Sequence, residues 1–388
     1  MSDKVYRVGM LGLGFIGKVH AYGYLNLPLY YDPAPLRAKI THVCTSSQNS
    51  AEKGCAQIGA EIATTDYRAI TENPDIDIVH ICTPNYLHHD ALLSAIRHNK
   101  HIYCDKPLVT NMDEAMAIAA ALKTYTATSQ MTLQNRFFPA VMRAKQLVDE
   151  GFLGRVLEYR AQYLHAGSAN PAAPLKWKLS AESGGGVIAD LASHILDLTQ
   201  HLVGDFNSLC ATSHIAYPDR PSTSDPRVRV KVDAEDCVML LARNRDNALG
   251  NIEATKIATG TEDELRFEIH GEKGALRFNS MEPHFLDVFD ASQADQPIGG
   301  FCGWTRVATG QRFPAPAAAF PGPKFSMGWI RAHAACLANF LCNVANGKPG
   351  SPGIDQGVYI QHLIDRVRVS CASKAWVDCV ASDSFLKR

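Results

Sequence analysis

The sequence predicts an α/β fold in two parts, a parallel sheet of βαβ units followed by an antiparallel sheet. Three observations carry this. Short apolar runs alternate with helical stretches up to about residue 125. A glycine-rich turn, Gly12-Leu13-Gly14-Phe15-Ile16-Gly17, joins the first run to the first helix. Beyond residue 125 the runs become longer, richer in β-branched and aromatic residues, and follow one another with few helices between. Alternation favours right-handed βαβ units, and consecutive strands favour antiparallel pairing.

Taken in order, residues 5–11 form the first strand and a helix begins at Lys18. The Pro-rich piece 27–35 reads as a loop insertion. Strands follow at 40–44, 76–83 and 101–104, with helices at 50–58, 86–97 and 112–122. In the second part, 155–165, 237–242, 249–256 and 265–270 read as strands, with a turn at 271–274 and a short strand at 285–289. The Gly-, Pro- and Ala-rich stretch 291–323 reads as a long surface connection, and helical pattern resumes at 329–344 and 357–370.

Composition limits the function classes. A length of 388 residues suggests two or three domains at roughly 150 residues each. Lys+Arg 38 against Asp+Glu 39 gives a net charge of -1, so no global field draws in nucleic acid or an anionic membrane. A small, weakly charged ligand fits better. No apolar stretch approaches the roughly 18 residues of a bilayer span, and the first residues lack the apolar core of a signal peptide. The 11 cysteines are odd in number and contain no Cys-x-x-Cys pair, so reduced, mostly buried thiols in a cytoplasmic protein are expected.

Gly12, Gly14 and Gly17 fit G-x-G-x-x-G. The first permits a tight turn, the second lets backbone approach a pyrophosphate, and the third lets the helix pack closely on its strand. The helix N-terminus then offers N–H groups to the phosphates. Phe15 and Ile16 belong to the same cofactor loop. The position that would carry an acidic residue for the ribose of NAD falls at Thr45-Ser46-Ser47, which holds neither acid nor arginine. Small hydroxyls there can bond either a ribose hydroxyl or a phosphate, so NAD and NADP both stay open at this position.

Three further pieces narrow the reading. One strand ends in Thr83-Pro84-Asn85 with His88 beyond, the next in Asp105-Lys106-Pro107, and Gly184-Gly185-Gly186 leads through Asp190 to His194. In order and spacing these resemble the Gfo/Idh/MocA oxidoreductase family over essentially the whole chain. The resemblance implies an N-terminal Rossmann domain, residues 1–125, and a substrate-binding and oligomerisation domain on an open, mainly antiparallel sheet, residues 126–388, whose last segment packs back on the first. It implies that Lys106 is the active-site lysine, with Asp105 where the family has Glu. Asp190 and His194 match the family's Asp and His, and Thr83, Pro84, Asn85 and His88 its cofactor-side loop. Arg136 is placed near the nicotinamide end, and Trp177-Lys178 near cofactor or substrate.

The residue types suit hydride transfer. Histidine, with an unperturbed pKa of about 6.5, can take a hydroxyl proton, and lysine can stabilise the developing charge on oxygen. His194 is therefore expected as base, Lys106 as its electrostatic partner and Asp190 as substrate binder. Gln162, Tyr163 and His165 are expected to meet a polyhydroxylated ligand. Asp190, His194, Asp197 and His201 line one helical face, but one straight helix cannot easily surround an ion, and no metal is expected.

The leading expectation is an NAD(P)-dependent dehydrogenase acting on a secondary hydroxyl of a sugar, glycoside or cyclitol, oxidation at pyranose C3 included. The alternative is glycoside cleavage through transient oxidation by tightly bound NAD. A cofactor-binding regulator ranks third, since it has no evident need for Lys106, Asp190 and His194. The family resemblance also implies a homodimer or homotetramer built through residues 130–345.

Overall fold

In the computed structural model, residues 4–314, 320–326 and 328–385 are described. The first sheet is wholly parallel, with strand order β3-β2-β1-β4-β5-β6. Its strands are β1 (Val5–Leu11), β2 (Arg37–Cys44), β3 (Ile62–Thr64), β4 (Ile78–Ile81), β5 (His101–Asp105) and β6 (Ser129–Thr132). The helices between them are α1 (Phe15–Tyr30), α2 (Gln48–Ile58), the single turn α3 (Arg68–Thr71), α4 (His88–Arg97) and α5 (Met112–Leu122). Central strands covered on both faces are predominantly apolar, and every residue of β4 is buried, His80 included. Local signals set the helix ends. Ser47 accepts from Ser50 N–H at the start of α2, and Gly59 closes it at φ 72°.

Pro28 does not stop α1, contrary to the loop expected over 27–35. It lies in the last turn, where one lost N–H bond costs little, and the burial of Tyr24, Leu27 and Tyr31 holds the helix on the sheet.

The second sheet has nine strands in the order β16-β15-β14-β13-β7-β12-β11-β8-β17. They are β7 (Val156–Leu164), β8 (Phe206–His214), β11 (Cys237–Asn244), β12 (Leu249–Thr255), β13 (Glu264–Gly271), β14 (Gly274–Asn279), β15 (Phe285–Asp290), β16 (Trp304–Ala308) and β17 (Val377–Asp378), while β9 (Asp219–Pro221) and β10 (Arg229–Lys231) make a separate ribbon. Every pairing in the large sheet is antiparallel except β12 with β7. The expected surface connection over 291–323 is thus interrupted by β16, whose exposed Trp304-Thr-Arg edge gave no alternating apolar signal.

Helices α6 (Pro139–Asp149), α7 (Ser193–Val203) and α9 (Ile354–Ser373) cover one face of this sheet and share its core. The opposite face leaves Met239, Leu241 and Leu249 exposed. Helix α8 (Trp329–Ala345) lies against α1, burying Cys336, Leu337, Phe340 and Leu341 with Val8, Met10 and Tyr24 of the first sheet's core. Among the described residues no helix is long and apolar enough to cross a membrane.

Candidate active site

A cleft of about 1180 Å³ runs along the carboxyl ends of the parallel strands to the near face of the second sheet. Open α/β sheets gather ligands at this edge. The glycine turn forms one wall. Gly12 has φ +91°, and a Cβ there would sit 2.6 Å from the Cys82 carbonyl oxygen. A Cβ on Gly17 would meet the Gly12 oxygen at 2.6 Å, whereas one on Gly14 would meet nothing within 4 Å. Turn, close packing and an open approach for a ligand are thus divided among the three glycines. Helix α1 begins at Phe15 with no side chain bonding its first N–H groups. Buried Thr83 Oγ1, on the same cleft, has no hydrogen-bond partner among the described residues. These features fit a dinucleotide, whose phosphates would take the free amides. Gly12→Ala should weaken NADH binding at least about tenfold, because the left-handed backbone and the carbonyl contact oppose a side chain. Fluorescence titration giving wild-type affinity would remove the turn from the cofactor site.

Thr45 and Ser46 line the cleft at the end of β2, and Thr45 Oγ1 bonds the Ser47 carbonyl. Pro84 and Asn85 line it beyond β4, where Asn85 Nδ2 donates to the Gly184 carbonyl at 2.8 Å. That bond ties the cofactor-side loop to the glycine triplet. The triplet is a close-packed connection: Gly184 and Gly186 have positive φ, and a Cβ on Gly186 would meet the Glu235 carboxylate at 2.3 Å. Glu235 in turn accepts from Ile188 N–H, starting the π-helical turn Ile188–Ala192 that carries Asp190 into α7.

Asp190 is the electrostatic centre. Lys106 Nζ donates to its Oδ1 at 2.8 Å and to its carbonyl at 2.7 Å, while Lys178 and Lys256 reach Oδ2 at 3.1 and 2.9 Å. Burial works to raise the pKa of Asp190, but the three ammonium groups hold it well below the usual carboxylate range. Burial works to lower that of Lys106, but Asp190 and Asp105 carry it above the ordinary lysine value. Lys178 is lowered, first by burial and then by its two lysine neighbours, with Asp190 opposing. Burial raises Asp105, which Lys106 counteracts. His194, one turn after Asp190, lines the cleft with its ring 5.7 Å from Tyr163. Burial first, and Lys106 second, hold it well below 6.5, so it is neutral across the physiological range.

Most of the expected residues meet here: Lys106, Asp105, His165, Trp177, Lys178, Asp190 and His194 all line the cleft. Three do not. Gln162 lies on the opposite face of β7, bonded to Glu253 and Arg266, because strand alternation cannot aim it the same way as Tyr163. Arg136 is turned from the cleft into a bidentate pair with buried Asp197. That pairing also separates Asp197 from the Asp190–His194 row. His88 is wholly buried beneath the site, bridging the Thr83 carbonyl at 2.9 Å and the Pro107 and Leu108 carbonyls at 3.1 Å. It fixes the loops rather than lining the cleft. Sequence reading missed Lys256, Asp263, Trp329 and His333, which line the cleft from β12, its neighbouring loop and α8 and lie on no recognisable motif.

Parallel sheet, glycine turn and cleft together define a dinucleotide-binding protein of the Rossmann class. The chain belongs to the Gfo/Idh/MocA oxidoreductase family: residues 6–132 match its NAD-binding Rossmann fold and residues 145–379 its C-terminal alpha/beta domain. The levoglucosan dehydrogenase of Pseudarthrobacter phenanthrenivorans is 33% identical over 385 residues, covering 96% of this chain and 97% of that protein. The inositol 2-dehydrogenase of Rhizobium meliloti is 26% identical, covering 95% and 97%. A solved levoglucosan dehydrogenase in complex with NADH and levoglucosan superimposes with a TM-score of 0.91 at 33% identity, over 97% of this chain and 100% of that one.

Proposed function

We propose that the protein oxidises a secondary hydroxyl of a sugar, glycoside or cyclitol with NAD+, and that levoglucosan, the substrate named for the relative above, is the first compound to test. The observation that carries this is the joining of Lys106, Asp190 and His194 at one end of the dinucleotide cleft. Bound NAD+ supplies the hydride acceptor. His194, neutral and buried, takes the hydroxyl proton. Lys106 has three N–H groups; two are held by Asp190, and the third is free to orient the reacting oxygen and stabilise its developing charge. Asp190, held as an anion, keeps that ammonium charged and in place.

The expected boundary at 125 falls short of β6, the last strand of the parallel sheet, so the dinucleotide domain runs to about residue 132 and the substrate and oligomerisation domain follows it. The exposed apolar row Met239, Leu241 and Leu249 supports a homodimer or homotetramer through the outer sheet face. Light scattering giving a monomer at micromolar concentration would overturn that assembly.

The deciding experiment follows absorbance at 340 nm with NAD+ and then NADP+ against levoglucosan, inositols, free sugars and glycosides. A rise with a neutral sugar or cyclitol is expected. A flat trace from protein that releases bound nucleotide on denaturation would replace this reading with glycoside cleavage by transient oxidation.

A further inference from the structure

Beneath the glycine turn lies a run of buried imidazoles that the proposed reaction does not use. His333, on the second turn of α8, lines the cleft and is 3% exposed. Its ring packs edge-on against Trp329 at 4.2 Å, and Trp329 stacks on Phe15 of the cofactor loop at 6.1 Å. His333 Nδ1 lies 3.3 Å from His20 Nε2, His20 Nδ1 lies 2.8 Å from His80 Nε2, and His80 Nδ1 lies 3.2 Å from the Tyr24 hydroxyl. Cys82 Sγ is 3.3 Å from His20 Nδ1. His333 Nε2, at the cleft end, has no hydrogen-bond partner among the described residues.

The hydrogens of this chain can be placed. Burial depresses all three imidazoles, His20 to about 3, and raises Tyr24 well above 10, so each ring carries one N–H and the phenol keeps its proton. Two directions satisfy the nitrogens. If His333 Nδ1–H donates inward, the chain ends with His80 Nδ1–H on the Tyr24 oxygen. The phenol proton is then left in the core without an acceptor, since His80 is its only partner among the described residues. If Tyr24 O–H donates to His80 Nδ1, then His80 Nε2–H donates to His20 Nδ1, and His20 Nε2–H donates to His333 Nδ1. Every hydrogen in the core then has an acceptor, and the single hydrogen left without one is that of His333 Nε2, at the lining of the cleft. Each direction leaves one hydrogen unpaired, in the core on Tyr24 or at the cleft on His333 Nε2, and only at the cleft can a ligand supply the acceptor.

The same geometry argues against an ion held by His20, His80 and Cys82. Two nitrogens on one tetrahedral zinc, at about 2.05 Å each, stand roughly 3.3 Å apart. The observed 2.8 Å is a hydrogen-bond distance.

We infer that His333 is a further ligand-binding residue of the cleft, donating Nε2–H to a neutral oxygen acceptor beside the Lys106–Asp190–His194 group, and that Tyr24, His80 and His20 are positioning residues that fix this tautomer. The inference rests on the reading of the cleft as the site of dinucleotide and sugar. The acceptor is an oxygen of the sugar or the carboxamide oxygen of the nicotinamide, two sources with one chemistry.

The test begins with long-range 1H–15N spectra of histidine-labelled protein, the His333 ring being assigned from its loss in His333→Gln. The Nε2–H form is expected; an Nδ1–H form, or stoichiometric zinc in the purified protein, overturns the inference. His333→Phe should then weaken ligand binding about five- to tenfold, with His333→Gln recovering most of it. Tyr24→Phe, remote from the cleft and gentle to the core, should raise the same constant about two- to fivefold. A purely structural role for Tyr24 would leave that constant unmoved. A raised Kd for NADH assigns the nicotinamide oxygen, and a raised KM for the sugar at unchanged NADH affinity assigns the sugar. If neither moves, the inference fails. Wild-type protein that binds no NADH would instead sink the functional reading, with the tautomer result judged separately.

Discussion

Replacing His194 by alanine is expected to lower kcat by about 10²–10⁴-fold while leaving NADH affinity within about twofold. The residue is 5% exposed, lines the cleft at the end carrying Lys106 and Asp190, and is held neutral by burial. Loss of the ring removes the proton acceptor without touching the glycine turn or the loop at Thr83. Because its pKa is held well below 6.5, the acid limb of kcat/KM in the wild type should also lie below pH 6.5. A His194→Ala enzyme that turns over at the wild-type rate would transfer the base role elsewhere, and the half-exposed Lys178, whose pKa is lowered, would be the next residue to replace.

Acid should destabilise the fold well before its carboxylates titrate. His20, His80, His194 and His333 are all nearly or wholly buried, and burial lowers the pKa of each below 6.5. The unfolded chain takes up these protons near pH 6.5 and the native chain does not, so the unfolded state binds more protons as pH falls. The stability contributed is present above pH 6.5 and declines as pH drops toward the native values, about 3 for His20. At about 1.4 kcal/mol per histidine per pH unit, four such groups remove on the order of 5 kcal/mol by pH 5.5. Asp105, raised by burial, gains in the opposite direction and offsets a small part. Urea midpoints between pH 7.5 and 5.5 measure this directly; a flat profile would mean that the imidazoles become charged without unfolding.

Much of the site could be read before the structure because it lies where parallel strands end. The glycine turn, Thr83–Asn85 and Asp105–Lys106 each follow a strand of the first sheet, so their meeting follows from its order. Asp190 joined them through the family resemblance rather than by spacing, since 84 residues separate it from Lys106. What escaped was contributed by other surfaces. Lys256 sits just past the end of β12, with no motif around it, and reaches Asp190 only because β12 runs parallel to β7. Trp329 and His333 arrive on a helix whose sequence shows only an amphipathic pattern. Gln162 was misassigned because two consecutive strand residues were given one face, and Arg136 because its carboxylate partner lies 61 residues away. The residues were of the right chemical kind in both cases, but their directions depended on tertiary pairing.

The seating of α8 against α1 has a consequence for how the chain is made. The core beneath the first sheet is completed by Cys336, Leu337, Phe340 and Leu341, which are synthesised some 200 residues after its last strand. A nascent chain that has displayed only β1 to β6 therefore carries an open apolar seam along α1. The nucleotide-binding third should not mature as an independent unit during translation; it must await the last quarter of the chain, where α8 lies. Nonsense truncation anywhere before residue 345 should yield an aggregation-prone fragment rather than a small working cofactor domain.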